Sequence, residues 1–317
     1  MRLFEHDDFR AMCIEAARHF NLPEQFIEKD YYVTEALRIA ASSQDGHIVF
    51  KGGTSLSKGW HLLERFSEDL DLFVNPGSYT PALDKKGIDR ELRRLRVAVA
   101  DHPGLTFDQD RSRTFGGFGR DDYFLYAGNF VEIAGIPATV KLEVGIQSGT
   151  FPVERVRLSS FASDLLRERG LQNTAEDLET FEMDLIHFRR TFVEKLFTIH
   201  GKVERLKADG HRLGRDARHY ADLFVLGGTP EVLSMIESEE YAQIRADYDE
   251  KSKRFFPKSY RPPDGLRFHN SDALFLPGDL RKIVEEDYYK DCRPLFRDEP
   301  PAFELVVQRL RGLAESL

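Results

Sequence analysis

The spacing of apolar residues divides the chain into a mixed first half and a helical second half. Phe9, Met12, Ala16 and Phe20 recur at helical spacing, which predicts a helix over 8–20. Asn21-Leu22-Pro23 breaks it. Pro23 suits the start of a second helix, which carries Phe26, Ile27, Val33, Leu37 and Ile39 to about Ser42. His47-Ile48-Val49-Phe50 then reads as a short strand running into Lys51-Gly52-Gly53. Leu56, Trp60 and Leu63 form a stripe that predicts a helix over Thr54–Glu64. Phe66 to Val74 alternates like a strand, and 84–101 reads as a charged amphipathic helix. Residues 123–147 read as strands in a hairpin that turns at Gly135-Ile136-Pro137. Beyond about 160 the pattern is helical, with a long stretch over Thr180–Leu206 and further helices over 216–226, 230–244, 279–292 and 300–316. Pro257, Pro262 and Pro263 mark a loop over 251–271. These elements predict an α+β protein. Residues 1–160 would hold a mixed sheet with flanking helices, and 161–317 a helical domain closing a cleft over it.

Chemistry concentrates in the first of these regions. In Phe50-Lys51-Gly52-Gly53-Thr54-Ser55-Leu56-Ser57-Lys58, a strand meets two glycines and a helix start. Glycine allows close backbone approach to a ligand, and a helix start directs N–H groups at an anion. A Gly-Gly turn alone is commonplace, but the next strand changes its weight. In Ser67-Glu68-Asp69-Leu70-Asp71-Leu72, strand alternation puts Asp69, Asp71 and Ser67 on one side and Leu70 and Leu72 on the other. Two carboxylates on one face repel unless a cation lies between them. Magnesium takes hard oxygen ligands and is commonly shared with substrate phosphates. An exposed edge strand with solvated acids is the competing reading, and the apolar residues flanking both aspartates count against it. Glu143, in the alternating run Val140-Lys141-Leu142-Glu143-Val144, is either a third metal ligand or an ordinary strand acid.

Composition narrows the setting. Only Cys13 and Cys292 are present, far apart in sequence, which argues against a disulfide framework or cysteine zinc site. No apolar run is long enough to span a bilayer, and Met1–Asp8 has no apolar signal region, which together predict a cytoplasmic protein. The net charge of -9 argues against general attraction to nucleic acid. One stretch departs from this. Arg189–Arg218 holds nine Lys/Arg against four Asp/Glu, either a phosphate-binding face or a solvated helix surface. His187, His200, His211 and His219 have no zinc-like spacing. Asp287-Tyr288 reads as structural.

The string Phe50–Val74 resembles the first motif of the AbiEii/AbiGii toxin group, within the polymerase-β-like nucleotidyltransferase superfamily. Fifteen residues separate Gly53 from Asp69, a long spacing that is itself typical of the group. Ile27-Glu28-Lys29-Asp30-Tyr31, Arg190-Thr191-Phe192-Val193-Glu194-Lys195-Leu196 with His200, and Arg215 with Arg218-His219-Tyr220-Ala221-Asp222-Leu223 resemble later family segments in order, over roughly residues 20–225. Where many relatives have an Asp, this chain has His219; Asp216 lies close by, and the acid of the helical half is either Asp216 or Asp222. The resemblance implies a nucleotidyltransferase-type fold and a magnesium-dependent enzyme that transfers a nucleotide from an NTP. It also implies a toxin with a cognate antitoxin, in a toxin–antitoxin or phage-defence pair. The acceptor it implies is RNA, the tRNA 3′ end, with a protein side chain or small molecule as the alternative acceptor. A further alternative is a non-catalytic interaction protein that keeps the fold. Expected roles follow: Asp69 and Asp71 hold magnesium, with Glu143 a possible third ligand. Gly52, Gly53, Thr54, Ser55, Lys58 and Ser67 contact the nucleotide, Lys195 offsets phosphate charge, and Asp222 orients or deprotonates the acceptor or fixes Lys195.

Overall fold

A computed structural model describes the chain except for residues 44–45, 66–68, 133–135, 172–174 and 297–298. Two compact units emerge. The first comprises Met1–Gly59, Phe66–Ile146 and Val153–Leu185; the second comprises Trp60–Arg65, Gln147–Pro152 and Ile186–Leu317. The chain passes between these units five times, the last at 185/186, where the sequence pattern suggests one boundary near 160.

The first unit is built on a seven-stranded mixed sheet. Its strands are β1 (Ile48–Lys51), β2 (Asp69–Val74), β3 (Thr106–Phe115), β4 (Gly119–Leu125), β5 (Thr139–Gly145), β6 (Val153–Leu158) and β7 (Phe181–Ile186), in the order β3-β4-β5-β2-β1-β7-β6. Helices α1 (Phe9–Phe20), α2 (Glu24–Ser43), α3 (Gly52–Lys58), α4 (Lys85–Ala100) and α5 (Phe161–Glu168) accompany it. Within the sheet β2 lies antiparallel to β1 and parallel to β5. Phe50, Leu70, Leu72, Leu142 and Phe124 are fully or almost fully buried. Burial of this kind fixes strand register, because a slip of one residue would exchange these side chains with the polar ones beside them. Helix α4 shows how the flanking helices form. The Asp84 carboxylate accepts a hydrogen bond from the Gly87 amide at 2.7 Å, capping the N-terminus. Ile88, Leu92, Leu95 and Val99 then recur at helical spacing and are buried.

The second unit is helical. The central α6 (Phe188–Asp209) buries Phe192, Val193, Leu196, Ile199 and Val203. It ends at Gly210, whose φ of 74° is the left-handed stop that glycine takes without steric cost. Around it are α7 (Arg218–Leu226), α8 (Pro230–Ile236), α9 (Glu239–Phe255), α10 (Asp272–Phe275), α11 (Asp279–Asp287) and α12 (Phe303–Leu313). Asp287 and Tyr288 are buried as read from the sequence: Asp287 accepts from Arg212 and the Gly214 amide, and the Tyr288 hydroxyl donates to the Pro301 carbonyl.

Three expectations are corrected. The helix expected over Thr54–Glu64 ends at Lys58, and His61 adopts φ 52°. Trp60 and Leu63 had completed an apparent stripe, but they belong to the second unit, where the Trp60 indole N–H donates to the Ile186 carbonyl at 3.2 Å. The long helix expected from Thr180 begins only at Phe188, because Met183 and Leu185 alternate with Glu182 and Asp184 as strand β7. Finally, β4 and β5 pair as the expected antiparallel strands, but residues 126–138 connect them, and the pairing extends outward to β3, which the pattern did not announce. Gly135, the expected turn residue, lies outside the described residues, as do Phe66 to Glu68 of the expected strand.

Candidate active site

Register assembles a row of charged side chains across four strands. Asp71 pairs with Lys51 of β1 on one side and with Glu143 of β5 on the other, and Glu143 pairs in turn with Asp121 of β4. Directly paired residues share a face of the sheet, so all four project to the same side. A second row, offset by two residues, holds Asp69, Lys141 and Tyr123. Asp69 and Asp71 thus lie on one face, as alternation required. Asp121 joins them, and nothing in its local sequence distinguished it from Asp122, which points the other way into an ion pair with Arg120.

Cations answer these acids on the same face. Lys51 Nζ lies 3.8 Å from Asp71 Oδ1, and Lys141 Nζ lies 3.6 Å from Asp69 Oδ1 while donating to Glu143. Burial works to lower the Lys141 pKa, but Glu143 and Asp69 raise it on balance. Burial, followed by the Glu143 charge, pushes the Asp121 carboxyl above its ordinary value. Among the described residues no three acidic, His or Cys groups converge as a metal cluster. Glu143 lies in register beside Asp71, with its carboxylate on Lys141. The donor set still fits magnesium. Two half-exposed carboxylates offer hard oxygens, and that ion needs only one or two protein carboxylates when phosphates supply the rest.

The glycine turn meets this face directly. Gly52 has φ 78°, and a Cβ placed there would lie 2.0 Å from Asp71 Oδ2. Both the backbone angle and the close approach demand glycine. Beside it, Thr54 Oγ1 donates to the Asp69 carbonyl and Ser55 Oγ to the Gly52 carbonyl, and both residues are buried. Thr54 thereby ties α3 to β2, and Ser55 stiffens the turn. Lys58 is directed elsewhere. Its ammonium donates to Asp30 Oδ1 at 2.6 Å and to the Ser159 carbonyl at 2.9 Å. Gly53 follows Gly52 in the first turn of α3, and Ser67 lies outside the described residues.

The residues expected from the helical half form a buried ion cluster within the second unit. The Asp222 carboxylate, with no exposed surface, accepts from Arg65 Nε at 2.6 Å, from Arg65 NH2 at 2.8 Å and from Lys195 Nζ at 2.7 Å. Burial opposes its charge, yet Arg65 and Lys195 hold the carboxyl well below the usual carboxylate range. Such a group is a poor base, so of the roles expected for Asp222 the geometry fits the fixing of Lys195. Burial, reinforced by Arg65, lowers the Lys195 pKa against the pull of Asp222. Lys195 also reaches His219 Nδ1 at 3.0 Å. Burial and the Lys195 charge depress His219 to about 3, so the ring is neutral at pH 7 and its Nδ1 accepts from the lysine. The same Nδ1 lies 3.3 Å from Asp222 Oδ2, while Nε2 lies 3.9 Å from Asp216 Oδ1, and Asp216 is itself paired with Lys202. His219 therefore stands as a neutral ring between Lys195 and Asp216. Arg65 was missed; the signal present was an arginine four residues before Asp69.

The expected basic stretch is largely neutralised. Arg189 pairs with Glu240, Arg190 with Glu194 and Asp247, Lys207 with Glu204 and Asp272, and Arg212 with Glu286 and Asp287. His187 caps α6 and His200 bonds Ser271. Both cysteines are buried and unbridged. No helix among the described residues is long and apolar enough to cross a membrane.

A mixed sheet with a Gly-Gly turn against an acid-x-acid strand defines the nucleotidyltransferase class. The profile described as "Nucleotidyl transferase AbiEii toxin, Type IV TA system" matches residues 35–309, so the chain belongs to that family: it is a nucleotidyltransferase and a toxin of the type IV toxin–antitoxin class. Among solved structures it is similar to MenT4, a nucleotidyltransferase toxin from Mycobacterium tuberculosis H37Rv, with a TM-score of 0.56 and 17% identity over 95% of this chain and 87% of that one. That likeness is one of fold. No curated protein matches the sequence.

Two outcomes follow from this geometry. Gly52→Ala forces the Asp71 carboxylate aside. It should lower transfer activity at least tenfold and destabilise the first unit by about 1 kcal/mol or more, the cost of a strained backbone position; denaturant midpoints beside activity read both. The second outcome concerns pH. The folded chain holds His219 at about 3, whereas an unfolded histidine titrates near roughly 6.5. The unfolded state takes the proton first, so stability is lost as pH falls through that window. His219→Gln keeps an acceptor for Lys195 but cannot titrate, and its urea midpoint should fall less between about pH 7 and pH 5 than that of the wild type.

Proposed function

We propose that the chain transfers a nucleoside monophosphate from an NTP to the 3′ end of RNA, most specifically tRNA, with magnesium held by Asp69 and Asp71. The observation that carries this reading is the pair of half-exposed aspartates on β2, flush with the Gly52 turn and flanked by Lys51 and Lys141. The metal, when bound, would lower the charge on the NTP phosphates and support the departing pyrophosphate. The acceptor hydroxyl oxygen attacks the α-phosphorus in line; its proton passes to solvent, a new P–O bond forms, the bond to the β-phosphate oxygen breaks, and pyrophosphate leaves. Gly52 and Gly53 give the phosphates close access to the backbone. Lys51 and Lys141 are the protein's own cations on this face, and each lies against an aspartate that would turn to the metal.

In this reading Lys195, expected to offset phosphate charge, is held by Asp222, one of whose expected roles was to fix it. Their role is positional. Asp222 anchors both Arg65 and Lys195, and Arg65 precedes Asp69 by only four residues along the chain. Toxicity follows from the chemistry, since a nucleotide added to a tRNA 3′ end blocks the hydroxyl that must be aminoacylated. We further infer that the protein works in the cytoplasm, where NTPs and tRNA are, opposite an antitoxin, and that phage defence is one setting for such a pair.

Incubation with each α-labelled NTP, magnesium and total cellular RNA tests the reading. Wild type should label a tRNA-sized band. Asp69→Asn and Asp71→Asn should each lose at least about 10²-fold, because each removes a metal ligand without changing side-chain shape, while circular dichroism and melting stay close to wild type. Induced expression should slow growth with wild type and not with Asp69→Asn. Full labelling by both variants would remove the aspartates from the chemistry, and equal toxicity without labelling would favour an interaction protein.

A further inference from the structure

A strongly charged surface of the first unit has no part in the acid face. Lys85, Lys86, Arg90, Arg93, Arg94 and Arg96 lie within one stretch of α4 that holds only Asp89 and Glu91 as acids, in a chain whose net charge is -9. Since Ile88, Leu92, Leu95 and Val99 face the core, helical periodicity turns Lys86, Arg90, Arg93 and Arg94 outward, and all four are exposed. Asp89 pairs with Arg93 at 3.0 Å, and the buried Glu91 lies 3.7 Å from Arg90 and 3.5 Å from Arg94. The three arginines nonetheless keep 60% or more of their side chains exposed, so they remain open to solvent beside these acids. Asp84 and Asp101 sit at the two ends of the helix.

This surface continues around the sheet edge. Arg96 lies over the Phe107 ring of β3, 5.0 Å from its centroid, and β3 is the edge strand. Phe107 pairs with the buried Phe124, on the side away from the acids. Further along β3, Arg113 pairs with Asp121 and Phe115 pairs with Gly119, so both project on the side of the acid row. Phe115 is 49% exposed. Arg111 stacks on Tyr123 at 4.4 Å, and Asp108 and Asp110 are the acids of this strand. Cations thus run from α4 over the edge to the rim of the acid face, where an exposed aromatic stands.

We propose that α4 and the edge strand β3 form the RNA-binding surface of this toxin: α4 grips the phosphate backbone, and Arg113 with Phe115 leads the 3′ end onto the acid face. The proposal rests on the RNA-acceptor reading above. Its chemistry favours RNA over an acidic protein. Four of the six cations are arginines, whose planar fork matches phosphate oxygens. The outward face of α4 offers Val97 as its one exposed large apolar residue, too little for the apolar centre of a protein interface. An exposed aromatic beside an arginine is the platform on which unpaired bases stack.

Fluorescence anisotropy with a labelled tRNA transcript, over about 50–200 mM salt, tests it. The full-length K86E/R90E/R93E/R94E variant should bind at least about tenfold more weakly, and its salt slope should fall by about 2–3, since each released phosphate contact contributes up to about 0.9. The K86Q/R90Q/R93Q/R94Q variant should fall between, with unchanged melting, which separates lost charge from lost fold. If wild type binds and labels the transcript and both variants do so with the same affinity and slope, the surface is wrong and the acceptor reading stands. A wild type that binds no RNA overturns both. Polyglutamate displacing the transcript as well as unlabelled RNA does would assign the face to acidic proteins and overturn the proposal.

Discussion

The structure turns on the register of one strand. β2 sits between β1 and β5 with Leu70 and Leu72 almost wholly buried on one side. That burial leaves Asp69 and Asp71 a single possible face. The same register sets Lys51 and Glu143 on either side of Asp71 and Lys141 beside Asp69. Like charges are thereby gathered by hydrophobic burial, against their mutual repulsion, and two lysines relieve part of the cost. A face held in that condition is ready for a divalent cation with its phosphates, because hard oxygens are already aligned and only tethered ammonium groups need to turn aside. Gly52 is part of the same constraint: its missing Cβ is what admits the Asp71 carboxylate.

The helical unit solves a different electrostatic problem. It buries Asp222, Arg65 and Lys195 together, an arrangement that costs desolvation and returns it only through good geometry. Arg65 meets the carboxylate with two nitrogens and Lys195 with a third, and neutral His219 takes a further donor from the lysine. The geometry of this network holds Arg65 in place, the positional part we propose for it.

Much of this was legible in the sequence because it followed from periodicity. Strand alternation put Asp69 and Asp71 on one face, and α1, α2, β1 and α4 fall where their apolar spacing predicted them. What failed was information carried by partners distant in sequence. Asp121 reaches the acid face only through pairing of β4 with β5, and Arg65 meets Asp222 across 157 residues. Trp60 and Leu63 imitated a helical stripe while packing into the other unit. The hydroxyls of Thr54 and Ser55, and the ammonium of Lys58, had the right chemistry for phosphate but were taken by nearer partners. The two readings of the basic stretch near α6 could not be separated for the same reason: charge counted along the chain cannot show that Glu240, Asp247, Asp272 and Glu286 return to meet it.

Binding of Mn²⁺, a paramagnetic substitute for magnesium, tests most directly whether the acid face is a metal–nucleotide site. In the presence of a non-hydrolysable NTP analogue, the electron paramagnetic resonance signal of free Mn²⁺ should fall on titration with wild type, as the ion is bound. It should fall no further with the folded Asp69→Asn/Asp71→Asn double variant than with analogue alone. Equal binding by the double variant would place the metal elsewhere and contradict the account.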